Sequence, residues 1–145
     1  MQIVGYHHRS SPLEKVLPKL LEKVLASGQR AVVMAASEDQ LKTIDTFLWT
    51  YSKSELLPHG MAEDGNAPYQ PIWLTCTDEN PNDAQVLVLI GNVRPAHLAQ
   101  FEKVLMLKSD WSIDSTQWAQ SIGDLTVWEE QTQGGWASVP LGSLS

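Results

Sequence analysis

The run RAVVMAA, residues 30–36, is apolar at every position after its first and is bounded by Gly28 and Ser37. A strand with one wet face alternates apolar and polar residues. A continuous apolar run with β-branched members is the pattern of a strand covered on both faces, as in a parallel sheet between two layers of helices. QVLVLIG, residues 85–91, repeats the pattern. Upstream of the first run, Leu13, Val16, Leu17, Leu20, Leu21, Val24 and Leu25 recur at helical spacing. Ser11 and Glu14 match a capping box, Pro12 suits the first helical position, and Gly28 suits the stop. Pro18 deletes one intrahelical hydrogen bond. The apolar spacing runs on past it, which predicts a bend and not a break. Ser37 with Gln40 opens a second helix over 37–50. Leu41, Ile44 and Leu48 share one face of it, with Trp49 about 100° further round.

Working outward, QIVGYH (2–7), IWLTCT (72–77) and KVLMLK (103–108) read as further strands. RPAHLAQFE (94–102) and SIDSTQWAQSIG (112–123) read as short helices, and LTVWEE (125–130) as a late strand or extended segment. GMAEDGNAPYQP (60–71) has the composition of a long loop, DENPNDA (78–84) that of a turn, and GGWASVPLGSLS (134–145) that of a tail. Strands alternating with helices predict a three-layer α/β domain with a largely parallel sheet. The expected organisation is one domain over 1–136 and a tail over 137–145. FLWTYSKSELLPHG (47–60) is too apolar for a simple surface connection.

The chain has 145 residues and a formal charge of −7. The charge is uneven. Residues 1–60 hold seven basic and six acidic side chains, whereas residues 109–145 hold no basic and five acidic ones. Proteins that live by phosphate contacts show the opposite balance, so direct nucleic-acid binding is not expected. The single cysteine forbids an intrachain disulfide and fits a reducing compartment. The start lacks the pattern of a signal peptide, and no run of about 18 apolar residues is present. A cytoplasmic protein without a membrane span is the expectation.

The turn after the first strand, YHHRSSPLEK, has no glycine between Tyr6 and Lys15. Neither G-x-G-x-x-G nor a P-loop is present, so a Rossmann-like sheet without a dinucleotide site is predicted. His7, His8 and Arg9 stand where α/β domains often hold ligands, and a cleft for a small anion or nucleotide there is the second reading. His7 and His8 point to opposite faces of a strand and do not share a metal. One is expected half-buried and the other exposed. No spacing among His7, His8, His59, His97 and Cys76 marks a metal site. Cys76 reads as core, and Ser10–Ser11 as a helix cap. No cofactor is expected. Four of the six tryptophans, Trp111, Trp118, Trp128 and Trp136, fall in the segment without Lys or Arg. Base stacking needs a basic groove, so these tryptophans read as packing or protein contact.

Five blocks, SPLEKVLPKLLEKVLASGQRAVVMAAS, LWTYSKSELLPHG, QPIWLT, ENPNDAQVLVLI and FEKVLMLKSD, together resemble the chi subunit of bacterial DNA polymerase III in order and spacing. LTVWEEQTQGGW looks like the alphaproteobacterial type. The similarity covers about residues 1–136. The resemblance implies a non-catalytic accessory subunit with a nucleotide-binding-like fold and no nucleotide site. It also implies an adaptor in DNA replication, linking the clamp loader, through the psi subunit where that exists, to the acidic C-terminal tail of single-stranded DNA-binding protein. Matched onto this sequence, the partner-facing positions on the clamp-loader side are Trp49, Leu56, Leu57 and Pro58.

One departure bears on the second contact. The family's last helix is usually longer and basic, and its Arg and Lys receive the acidic tail. Here it is short and carries neither. Residual binding would draw on Lys103, Lys108 or Arg94, with Trp111, Trp118 or Trp128 offering an apolar slot. Like charge opposes the contact, so tail binding is predicted to be weak or absent.

Overall fold

The computed structural model describes residues 1–50, 59–61, 65–132 and 134–140. Among these residues the chain forms seven strands and three α-helices: β1 (Gln2–His7), α1 (Leu13–Ala26), β2 (Ala31–Met34), α2 (Glu38–Thr50), β3 (Ile72–Thr75), β4 (Val86–Ile90), β5 (Lys103–Lys108), α3 (Ile113–Ile122), β6 (Asp124–Glu130) and β7 (Trp136–Val139). The strands make one sheet in the order β3-β2-β4-β5-β1-β6-β7. Every pairing is parallel except β6 with β7.

The continuous apolar runs are explained by the two cores. Val33 in β2, Val88 in β4 and Leu105 in β5 face one way and pack with Leu17, Leu21, Leu41 and Ile44 of α1 and α2. Their neighbours Val32, Leu87 and Val104 face the other way and pack with Phe101 and Trp111 and with Ala119 of α3. Each such residue gains about 1.5–3 kcal/mol from leaving water. The result is a three-layer α/β fold, with α1 and α2 on one face and α3 on the other.

Pro18 is buried inside an unbroken α1. The helix stops where Gly28 takes φ +81, with its amide bonded to the Leu25 carbonyl and that of Gln29 to Val24. Only a residue indifferent to the left-handed region makes that stop cheaply. Ser37 caps α2 by accepting the Gln40 amide at 3.2 Å.

Four expectations need correction. Ser11 does not cap α1: Pro12 occupies the cap position and no side chain bonds there, because the Ser11 hydroxyl is used by Glu130. Residues 94–102 form turns and not a helix. The Asp78 carboxylate takes the amides of Ala96 and His97, which holds that backbone open, while Leu98 and Phe101 fill the core. Residues 136–139, read as tail, are the edge strand β7, turned back by Gly134 and Gly135 at φ +88 and +77. Neither His7 nor His8 is exposed: His8 is buried against the Ser11 carbonyl, and His7 bonds the Ser109 carbonyl.

Candidate functional site

The β1–α1 turn is where a Rossmann-like sheet would hold a phosphate. Here the backbone amides of Arg9, Ser10 and Ser11 converge on one oxygen of Glu130, each at 2.9 Å, and the Ser11 hydroxyl donates to the other. The Ser11 hydroxyl, against the opposing effect of burial and aided by those amides, pulls the Glu130 carboxyl down to about 2. Arg9 and His7 face Glu129 at 3.4 and 3.5 Å. The chain's own carboxylates therefore take the donors that an external anion would need.

The end of α2 presents a different surface. Leu48 is buried, and one residue on Trp49 is 55 % exposed. The Trp49 ring leans on the His59 imidazole with centroids 4.4 Å apart. His59, whose side chain is fully buried, bonds Asp45 of α2 at 2.9 Å. A large apolar group is thus held in place on the surface, which lowers the entropy lost when something docks on it. Leu56, Leu57 and Pro58 lie outside the described residues.

The six side chains considered for an acidic tail do not all meet at one place, although Lys108 lies 6.0 Å from the centre of the Trp111 ring. Lys103 begins β5 and Lys108 ends it. Lys108 is buried and donates to Asn92 and, at 2.5 Å, to the Ser115 hydroxyl of α3. Burial pushes its pKa down, Arg94 adds to this, and Asp110 opposes it. Trp111 is a core residue whose indole bonds Thr116 at 2.9 Å. Trp118 packs on the same face and receives Arg94 at 5.9 Å from its ring. Trp128 belongs to the opposite face, packed against the core beneath α1.

That face also holds a hollow. A groove of about 400 Å³ runs between α1 and the β6–β7 hairpin. Lys15, Lys19 and Lys23 form one wall, and Tyr6, Trp128 and Trp136 the floor and far side. Tyr6 and Trp128 sit side by side on paired strands, and Trp136 meets Tyr6 edge-on at 5.7 Å. The sequence shows the lysine spacing on α1, but the aromatic residues that face it come more than a hundred positions later, and no local signal joins them. Cys76 is half-buried with its sulfur 3.6 Å from Glu38, and burial first, then Glu38, raises its pKa. Among the described residues no group of three or more His, Cys, Asp or Glu could hold a metal ion, and no helix is long and apolar enough to cross a membrane.

A family model described as DNA polymerase III chi subunit, HolC, matches residues 1–117. A protein of Rickettsia prowazekii (strain Madrid E), described as a probable DNA polymerase III subunit chi, is 33% identical over 106 residues. That alignment covers 72% of this chain and 64% of the relative, less than two thirds of the relative's length.

Proposed function

Because the chain belongs to the DNA polymerase III chi subunit family, we propose that it acts as a non-catalytic adaptor in replication. It grips a clamp-loader component, psi or its equivalent, through the end of α2. It makes at most a weak contact with the acidic tail of single-stranded DNA-binding protein. The observation that carries this reading is Trp49, exposed on the surface yet fixed by the His59–Asp45 pair. A tryptophan held in this way is the kind of group that dominates binding energy when a partner covers it. Leu56, Leu57 and Pro58 are proposed to extend the same face.

The test is affinity capture from the native organism with wild type and a Trp49→Ala, Leu56→Ala double variant. The expected result is that replication proteins accompany the wild type and are lost from the variant, whose melting curve stays cooperative. Equal recovery by a folded variant would refute the docking face.

The second reading, a small anion or nucleotide held near His7, His8 and Arg9, is opposed by Glu130 and Glu129, which already take those donors. A thermal-shift series with phosphate and nucleotides separates the two. A ligand that binds the folded state must raise the melting temperature progressively with the logarithm of its concentration once that exceeds the dissociation constant. No shift is expected.

A further inference from the structure

We propose that the groove between α1 and the β6–β7 hairpin binds single-stranded nucleic acid. Lys15, Lys19 and Lys23 are exposed and follow one another at four-residue intervals along one face of α1. Four residues of helix rise about 6 Å, so the ammonium groups form a row with roughly the reach of one extended nucleotide between members. Across the groove, Tyr6, Trp128 and Trp136 supply flat aromatic surface, with Trp136 37% exposed. No Asp or Glu lines the groove among the described residues. Glu130 of the hairpin is committed to the turn before α1.

The objection from sequence was that these tryptophans lie in a segment without Lys or Arg. The fold removes it by bringing the lysines of α1 to them. A basic track beside aromatic platforms is the arrangement that holds single strands without reading their sequence. Each nucleotide has a charged backbone on one side and a flat base on the other, so every repeat uses both walls. An acidic peptide would use the lysines but has no need of the aromatic side of the groove, where Trp136 is exposed. The net charge of −7 opposes the approach of any polyanion, so binding is modest and strongest at low salt.

The experiment is fluorescence anisotropy of the full chain with a labelled oligothymidylate of about 12 nucleotides, read across a salt series. Three lysine–phosphate contacts give a slope of log affinity against log salt near −2 for a single strand. Lys15→Gln, Lys19→Gln, Lys23→Gln together are expected to weaken binding at least ~10-fold at low salt and flatten the slope towards zero. Trp136→Ala is expected to weaken binding about 5-fold or more while leaving the slope in place. Lys42→Gln, on α2, is the control and is expected to change nothing. Circular dichroism melting of each variant shows that it is folded. No binding by the wild type at low salt, binding undiminished in the triple variant, or equal competition by oligoglutamate would each overturn the proposal. Trp49 lies outside the groove lining, so the adaptor reading and this one fail independently: Trp49→Ala is expected to leave oligothymidylate binding unchanged.

Discussion

At the scale of single residues, two positions hold the fold in ways that composition hides. Gly5 lies mid-β1, and a Cβ there would stand 2.3 Å from the Trp111 ring. The glycine is needed for space and not for its backbone angles, because it lets an indole lie across the strand. Gly5→Ala must push Trp111 off its bond to Thr116. A cost of about 2–3 kcal/mol is expected, the penalty of an overpacked core, read as a lower urea midpoint. Glu130 is the second. Its carboxyl titrates at about 2 in the fold against an ordinary 4.5. The unfolded chain therefore takes up the proton first as the pH falls. The stabilisation is complete above the ordinary value and is lost between there and about pH 2. Glu130→Gln removes the charge that the three amides and the hydroxyl are aimed at, and is expected to cost about 1–3 kcal/mol near neutral pH. Wild type and variant should draw together as the pH falls and converge in stability only at about pH 2 and below. A gap that persists in acid would mean that the side chain acts through shape alone.

At the scale of elements, period and punctuation made most of the sheet readable. RAVVMAA and QVLVLIG became β2 and β4, buried throughout, and the α1 stripe became a helix that passes Pro18 unbroken. Residues 94–102 misled because Leu98 and Phe101 carry enough apolar character to suggest a helix face. The deciding contact, Asp78 onto the amides of Ala96 and His97, comes from a loop 18 residues earlier. β7 was hidden because four residues after a Gly-Gly pair show no period until β6 is beside them. The edge position of Trp49 was legible from helical spacing and the residue is exposed, whereas a partner role for it rests on the family resemblance. The lysine–aromatic groove was not legible, since α1 and the hairpin meet only in three dimensions. α3 has one explicit start signal, the Ser112 hydroxyl that accepts the Ser115 amide at 3.3 Å. Ser112→Ala is expected to cost about 1 kcal/mol, moving the urea midpoint without changing the slope of the transition, because the surface exposed on unfolding is unaltered.

At the scale of the whole molecule, the distribution of charge decides what the protein can hold and on which face. All basic residues lie before Ser109 in the chain. On the α3 side, Lys108 is the buried cation, and its hydrogen bonds to Asn92 and Ser115 are internal. Arg94 lies against the Trp118 ring, and α3 itself contributes Asp114 in its first turn and no basic residue. Lys103 is at the far end of β5 from Lys108. A short acidic peptide that docks on α3 therefore meets little accessible positive charge, and complementarity of this kind sets both the encounter rate and the specificity. Titration of the full chain with the acidic C-terminal tail peptide of single-stranded DNA-binding protein, followed by calorimetry near physiological salt, is expected to give a dissociation constant weaker than about 10 μM. Adding positive charge should restore what the helix lacks. Gln117→Arg with Gln120→Arg, both on α3, should tighten binding about 5-fold or more if α3 is where the tail arrives, since close interfacial charge pairs couple by about 1.5 kcal/mol or more. Low-micromolar binding by the unmodified chain, or no response to the added arginines, would mean that the tail is received elsewhere. The lysine wall of α1 would then be the surface to mutate next, since Lys15, Lys19 and Lys23 are exposed cations that share one hollow.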